Sequence, residues 1–542
     1  MWFMNNKYKI LYFPFIIIIL LSLCFFVFFF GIGNYGLLDK DEPRYAGTAL
    51  EMFKNNDWIV PEFNFENRFD KPILFYWLIA ISYKFFGISD FTSRLPSALC
   101  ATLCVLFTWY VARVVFGKSA AFLSAIILTT SIEFVLLGRR AATDMVLCLF
   151  FTSSLYSIFL SYYIKDFRVK IVWCILAGIF CGLSILTKGP VGILLPLIVL
   201  TAFLIVKKQF DVKHLKIYFI ILFFALLVSL PWYLKIHYAT NGEFTREFFF
   251  EHNLKRFTSV VGEHPGPFWF YIPVALGGFM PWTFFFLNAV SSLLKHFFKK
   301  TLNKLLLFSF VWVITVFLFF SFSTTKLATY ILLIFPPLSI VTGYWILVLS
   351  KRKSYILKNI IGFLSLFLLP VLFVCFNLLS KWKIDYLDKN LLLIKIALLA
   401  IFLFVGILLS FFCVKKSYSL LVGFAFCFIV SFIFGLNSYL VPYYKYTHAD
   451  LRDFAEYAGK TGASEIISFG MYRPSLAYYS GVPVDSSDKK EQKLKIKNYA
   501  LSKSNVCIVG HTDDIEKNKE LFGNVKIVDK GKKYFLGVIN SD

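Results

Sequence analysis

Long apolar runs alternate with short polar ones along most of this chain. The runs lie near residues 9–32, 95–116, 119–137, 143–164, 171–187, 190–207, 215–236, 269–290, 304–322, 327–349, 355–379, 391–414 and 418–441. A helix needs about 20 apolar residues to cross the hydrocarbon core, so the pattern predicts about 13 spans. One further stretch, "ILFYWLIAISYKFFG" at 73–87, is too short, follows Pro72 and is interrupted by Lys84. It reads as a helix lying along a membrane surface. From about residue 446 the pattern changes. "THADLRDFAEYAGK" reads as a helix, "SEIISFG" as a strand, "PSLAYYSG" as a helix and "GVPVD" as a strand. A charged helix, the strand "NVCIVGH", the helix "DIEKNKELFG" and a final pair of strands follow. This predicts a membrane domain over 1–445 and one small α/β domain over 446–542.

The loops between spans fall into two alternating sets. One holds the N-terminus, "RVVFGK", "KDFRVK", "KKQFDVKHLK", "KHFFKKTLNK", "SKRKS" and "VKKS". It is strongly basic and is expected to face the cytoplasm. The other set holds 37–94, a long loop at 237–268 and the C-terminal region, and is expected to face outward. Residues 37–94 then form an outer juxtamembrane element of short helices. The first run is long for a signal-peptide core and lacks a small-residue cleavage site, so it reads as an uncleaved span.

Composition agrees. Hydrophobic residues make up 58% and charged residues 16%, and the mean hydropathy is +0.70, which is the profile of a multi-pass membrane protein. The net charge of +24 would suggest nucleic acid in a soluble chain. Here Lys and Arg sit in the short loops, so orientation in the bilayer accounts for it and no nucleic-acid partner is expected. Nine of the ten cysteines lie in apolar runs and Cys507 stands apart, so neither a zinc spacing nor a disulfide framework is present.

The outward set also gathers the residues able to do chemistry: Asp41, Glu42, Arg44, Asp70, Lys71, Arg139, Arg140, Asp144, Lys188, Glu251, His252, Arg256, His264, Lys326 and Tyr330. Carboxylates can act as general bases or bind metal, and Arg and Lys can hold phosphate oxygens. A surface with several fixed cations and a spare carboxylate suits a lipid phosphate. Each residue also has a plainer reading. Asp41 and Glu42 could open a helix, Asp144 could cap one, and Lys188 could snorkel from a turn.

The stretch "DKDEPRYAGTALEMFKNNDWIVPEFNFENRFDKPILFYW" resembles the bacterial family of lipid A aminoarabinose transferases. That family lies within the wider group of polyprenyl-phosphate-sugar glycosyltransferases related to protein O-mannosyltransferases. The motifs that carry the resemblance are Asp41-Glu42-Pro43-Arg44-Tyr45, Asn56-Asp57-Trp58 and Phe69-Asp70-Lys71-Pro72. "RRAATDM", "TKGP", "EHNLKRF", "HPGPFWFYIP" and "STTKLATYILLIFPPL" follow in order, over about residues 5–350.

The resemblance implies a GT-C fold of 13 spans in the bacterial inner membrane, with the N-terminus cytoplasmic and the C-terminal domain periplasmic. It implies a sugar donor on undecaprenyl phosphate and, as acceptor, lipid A or another envelope molecule. Asp41 would be the catalytic base. Lys71, Arg256 and Arg44 would hold the donor phosphate, and Asp144 would position a substrate. Glu42, Tyr45, Arg139, Lys188, Lys326 and Tyr330 would line the cavity. The family also pairs the acid before Lys-Pro, Asp70 here, with a loop histidine, His252 or else His264, at a zinc site. A carboxylate and one histidine are an incomplete zinc shell. Two other readings keep the composition: a protein hydroxyl as acceptor, or a transporter of a lipid-linked sugar. A transporter would place its ionisable residues at mid-membrane rather than at the ends of spans.

Overall fold

A computed structural model describes residues 14–255, 265–351, 418–502, 504–523 and 525–539. The first helix, α1 (Pro14–Phe29), leads into the juxtamembrane element. That element comprises α2 (Asp41–Asn55), a small antiparallel hairpin of β1 (Glu62–Phe63) and β2 (Glu66–Asn67), and α3 (Leu74–Phe86). The short apolar stretch at 73–87 is thus a helix of 13 residues, with Phe75, Tyr76, Ile79 and Tyr83 among its buried side chains.

Apolar helices follow: α4 (Asp90–Phe116), α5 (Lys118–Thr129), α6 (Ile132–Gly138), α7 (Thr143–Tyr163), α8 (Phe167–Lys188), α9 (Val191–Val206) and α10 (Leu215–Ala239). A short α11 (Glu243–Arg246) runs on into a wide π-helical turn, Glu247–Leu254. Then come α12 (Tyr271–Gly278), α13 (Thr283–Phe298), α14 (Lys304–Phe322) and a 3₁₀ turn (Ala328–Ile334) that leads into α15 (Phe335–Lys351). A further long helix, α16 (Tyr418–Thr447), has 30 residues. Among the described residues, six helices are long and apolar enough to cross a membrane, or seven if the bent pair α5 and α6 is one span. The predicted runs at 355–379 and 391–414 lie outside the described residues.

Two runs that read as continuous spans are broken. The run at 119–137 bends by 66° between α5 and α6. Thr129, Thr130 and Ser131 each donate a hydroxyl to the carbonyl four residues back, which competes with the helical ladder and favours a bend. The run at 269–290 breaks between α12 and α13, where Gly277, Gly278 and Pro281 fall. Glycine weakens a helix and proline removes a donor. The two breaks are joined. Ile132 N donates to the Met280 carbonyl at 3.1 Å, and Trp282 Nε1 donates to Thr130 Oγ1 at 2.8 Å. Backbone freed in an apolar setting is thereby satisfied inside the protein.

Helices α8 and α10 pack closely because α8 presents Gly178 and Gly182 on one face. A Cβ at Gly178 would come within 2.7 Å of the Ile221 carbonyl, and one at Gly182 within 2.7 Å of Val228. Small residues four apart let backbones approach in this way.

The C-terminal residues form a five-stranded sheet in the order β4-β3-β5-β7-β6. Its strands are β3 (Glu465–Phe469), β4 (Val484–Asp485), β5 (Val506–His511), β6 (Lys526–Lys530) and β7 (Tyr534–Ile539). The first three are parallel and the last two antiparallel. The helices α17 (Ala449–Lys460), α18 (Pro474–Ser480), α19 (Lys489–Ser502), α20 (Thr512–Lys517) and α21 (Lys519–Phe522) complete it. Cys507 is a buried residue of β5. The sheet docks on the juxtamembrane element: Asn64 exchanges two hydrogen bonds with the Val484 backbone, at 2.8 and 2.9 Å.

Candidate active site

Helix α2 begins at Asp41, and its first turn carries the acids of "DEPRY". The two neighbours take opposite roles. The Asp41 side chain is 56% exposed and meets Arg140 Nη2 at 3.0 Å. Glu42 is fully buried and accepts four hydrogen bonds: from Arg94 Nε and Nη2, from Leu38 N and from Ala141 N, at 2.7–2.9 Å. Burial pushes its carboxyl up, but the Arg94 guanidinium outweighs that and holds it below the ordinary range. Arg94, missed in the sequence reading, also caps the carbonyls of Ile32, Tyr35 and Gly36. Glu42 thus borders the site as part of its frame.

Arg139 and Arg140 divide in the same way. Arg139 donates to the carbonyls of Val27 and Phe30 and so secures the end of α1, while Arg140 faces Asp41. Lys326 is likewise buried, its ammonium shared by the carbonyls of Phe320, Ser321 and Ser323 at the end of α14.

A second cluster surrounds the "FDKP" turn. Arg68 grips Asp70 with two hydrogen bonds, at 2.7 and 3.3 Å, and Arg44 lies 3.8 Å from the same carboxylate. Arg68 also lies over the rings of Tyr45 and Tyr76, at 4.8 and 5.6 Å. Burial opposes charge on Asp70, but Arg68 and then Lys71 hold its carboxyl well below the usual range. Lys71 Nζ donates to the Asp70 carbonyl at 2.8 Å. Arg68 was also missed; its only signal was its place two residues before Asp70.

The third cluster joins three span ends. Lys188 Nζ at the end of α8 donates to Asp144 Oδ1 at the start of α7, at 2.6 Å, and lies 5.2 Å from the Tyr330 ring. Thr329 bonds the same carboxylate. Tyr45 connects the clusters: it lies within electrostatic reach of Asp70, Asp144 and Asp41. Burial holds its phenol neutral by raising its pKa. Arg256 and His264 lie outside the described residues.

The zinc expectation can be weighed on the residues present. Both Asp70 oxygens already bond to Arg68, with Arg44 and Lys71 close by, and this cationic setting disfavours a dication. His252 sits on the π-helical turn. Among the described residues, no three His, Cys, Asp or Glu side chains gather as metal ligands. The described residues around Asp70 thus do not by themselves make a zinc site, and the alternative ligand His264 lies outside them.

Beside Asp41 lies a cleft of about 670 Å³. Its polar lining is Asp39, Glu42, Glu133, Arg139, Arg140 and His448, and Leu136, Val274, Leu436 and Leu440 are among its apolar lining. Arg140 links it to Asp41, and Thr329, also in its wall, links it to Asp144. An amphipathic cleft of this size suits part of a lipid with a polar head.

Membrane helices, a juxtamembrane platform bearing acids and cations, and a terminal α/β sheet together define a multi-pass membrane protein of GT-C fold. The solved structure of ArnT from Cupriavidus metallidurans bound to undecaprenyl phosphate superposes with a TM-score of 0.79 at 20% identity, over 97% of this chain and 98% of that one. The archaeal oligosaccharyltransferase AglB from Archaeoglobus fulgidus aligns with a TM-score of 0.55 at 13% identity, over 95% of this chain and 71% of that one.

In sequence, the chain is similar to the undecaprenyl phosphate-alpha-4-amino-4-deoxy-L-arabinose arabinosyl transferase 2 of Proteus mirabilis. The two are 30% identical over 352 residues, which is 65% of this chain and 63% of that protein. The corresponding transferase of Shewanella sediminis is 33% identical over 60% of this chain and 59% of its own length. The match thus spans about three fifths of these relatives. Residues 70–234 match the family model of dolichyl-phosphate-mannose-protein mannosyltransferases. These relatives are those that the sequence motifs pointed to.

Proposed function

We propose that this chain is an integral-membrane glycosyltransferase that moves a sugar from undecaprenyl phosphate to lipid A. The observation that carries the reading is the exposed Asp41 carboxylate, paired with Arg140 of the amphipathic cleft and opening the helix that also carries the cation Arg44. The names of the sequence relatives support the donor and an aminoarabinose-like sugar. The proposal includes the 13-span topology in the bacterial inner membrane, with the N-terminus cytoplasmic and the site and C-terminal sheet periplasmic.

The chemistry is a single displacement. The acceptor lipid enters by the cleft, and its anionic head competes for Arg140, which frees the Asp41 carboxylate from its ion pair. Asp41 takes the proton of the acceptor O–H. That oxygen attacks the anomeric carbon while the bond from that carbon to the phosphate oxygen breaks. The polyprenyl phosphate leaves with the bonding electrons, held by Lys71, Arg256 and Arg44, joined by Lys188 from the cavity wall, and so needs little acid assistance. The anomeric centre inverts.

The test is the lipid A mass spectrum of matched cells with the gene intact and deleted. Loss of one aminopentose-sized increment supports lipid A glycosylation, and a hexosamine-sized loss changes the sugar. An unchanged spectrum refutes lipid A as acceptor. The match to the protein mannosyltransferase model favours a second reading in that case, a protein hydroxyl, which a glycoprotein comparison of the same cells examines.

A further inference from the structure

The segment that delivers Asp41 is held from two sides. From the membrane domain, Glu42 and Arg94 form a buried pair, and Leu38 N donates to Glu42 Oε2 at 2.9 Å. From the C-terminal sheet, α18 supplies the other contacts. Ser475 donates its backbone N–H and its hydroxyl to Asp39, at 3.0 and 2.7 Å, and the Asp39 side chain is 1% exposed. Tyr479 Oη accepts from Leu37 N at 2.8 Å and donates to Asp90 at 2.8 Å. Arg452 in turn bonds Asp90 at 3.0 Å and lies over the Tyr479 ring.

Ser475 and Tyr479 are four residues apart on one helix, so they share a face. They meet residues 39 and 37. The segment is therefore held alternately by α18 and by the Glu42–Arg94 pair, through the backbone N–H groups of residues 37 and 38 and the side-chain carboxylates of residues 39 and 42. Asp41 lies inside this frame, two residues from the Ser475 contact. Tyr478, between the two clamp residues, packs its hydroxyl 3.4 Å from those of Tyr83 and Ser93, which seats α18 on α3 and α4 as well.

We propose that α18 is a positioning element of the active site: Ser475 and Tyr479, from the C-terminal sheet, hold residues 37–39 so that the Asp41 carboxylate points at the acceptor. The proposal rests on the reading of Asp41 as the base. Positioning matters because a reacting group displaced by about 1 Å can lose about 100-fold in rate.

The test uses the purified full-length protein with Ser475→Ala, Tyr479→Phe and, as the conservative partner, Ser475→Thr. Three quantities are measured: kcat and donor KM with an undecaprenyl-phosphate-linked sugar and lipid A, amide hydrogen exchange at residues 38–42, and thermal unfolding. In Ser475→Ala and Tyr479→Phe, kcat should fall about 10-fold with donor KM within about twofold, and exchange at 38–42 should rise. Ser475→Thr, which keeps the hydroxyl, should restore most of kcat. Unchanged exchange in both variants overturns the clamp whatever the activity. Raised exchange with unchanged kcat overturns its catalytic role, as does a parallel loss in kcat, donor affinity and melting temperature. If the wild type transfers no sugar, the functional reading fails, and the catalytic role assigned to α18 falls with it; raised exchange would then establish only the contact.

Discussion

Replacing Arg94 by Leu tests the frame of the site most directly. Arg94 is fully buried and makes five hydrogen bonds, two to Glu42 and three to the carbonyls of Ile32, Tyr35 and Gly36. Without it, Glu42 keeps two backbone donors but loses its counter-charge inside the protein. Breaking such a pair on one side costs about 3–5 kcal/mol, because the remaining charge is left uncompensated. Removing that charge as well, in Glu42→Gln with Arg94→Leu, should recover about 2 kcal/mol of the loss, while the three orphaned carbonyls remain.

The assay is denaturant or thermal unfolding in detergent, followed by tryptophan fluorescence, across the double-mutant cycle. The pH dependence gives an independent check. In the wild type, the Glu42 carboxyl is held below its ordinary value, so its contribution is present above that value and is lost as pH falls. In Arg94→Leu, burial raises the Glu42 pKa instead, so the variant should gain stability relative to wild type as pH drops from 8 to 5. A double variant as unstable as the sum of the two single changes, or an Arg94→Leu protein without this pH reversal, would refute the assignment.

Three further outcomes are expected. Burial, with help from Arg473 and Lys533, lowers the His448 pKa from 6.5 to about 4, so protons bind the unfolded chain first. Stability should hold above pH 6.5 and fall by about 3 kcal/mol as pH drops from 6.5 to 4, and His448→Gln should flatten a melting-temperature profile over that range. Lys188→Met leaves Asp144 without its cation and should weaken undecaprenyl phosphate binding at least about 10-fold by calorimetry, with Lys188→Arg closer to wild type; equal affinities would remove Lys188 from the phosphate site. Gly178→Leu forces α8 away from the Ile221 carbonyl and should cost about 2 kcal/mol or more in detergent unfolding, whereas Leu at the exposed Val172 of the same helix should be close to neutral.

Much of this protein was legible in the order of its residues. Apolar runs of span length, the short helix at 74–86 and the alternation of strands and helices after residue 446 are local signals, and among the described residues most formed near their expected places, while the runs at 119–137 and 269–290 came out broken. The motifs around Asp41, Asp70, Asp144 and Lys188 were also readable, because the residue types themselves carry charge and proton affinity. Partnership was not. Asp41 and Glu42 are adjacent and equally acidic, yet one is exposed and the other buried, because successive helical residues diverge by about 100° and Arg94, 52 positions on, arrives on only one side. Arg139 and Arg140, in the turn after α6, divide as well, because the carbonyls of Val27 and Phe30 meet only the first and Asp41 only the second. The breaks at Thr130 and Pro281 became a joined pair only when two distant helices met. Composition and periodicity determined which segments are apolar helices and which residue types stand at their ends. Tertiary packing alone decided which of those charges remain free for chemistry, because that depends on partners far along the chain and on the cost of burying any charge that lacks one.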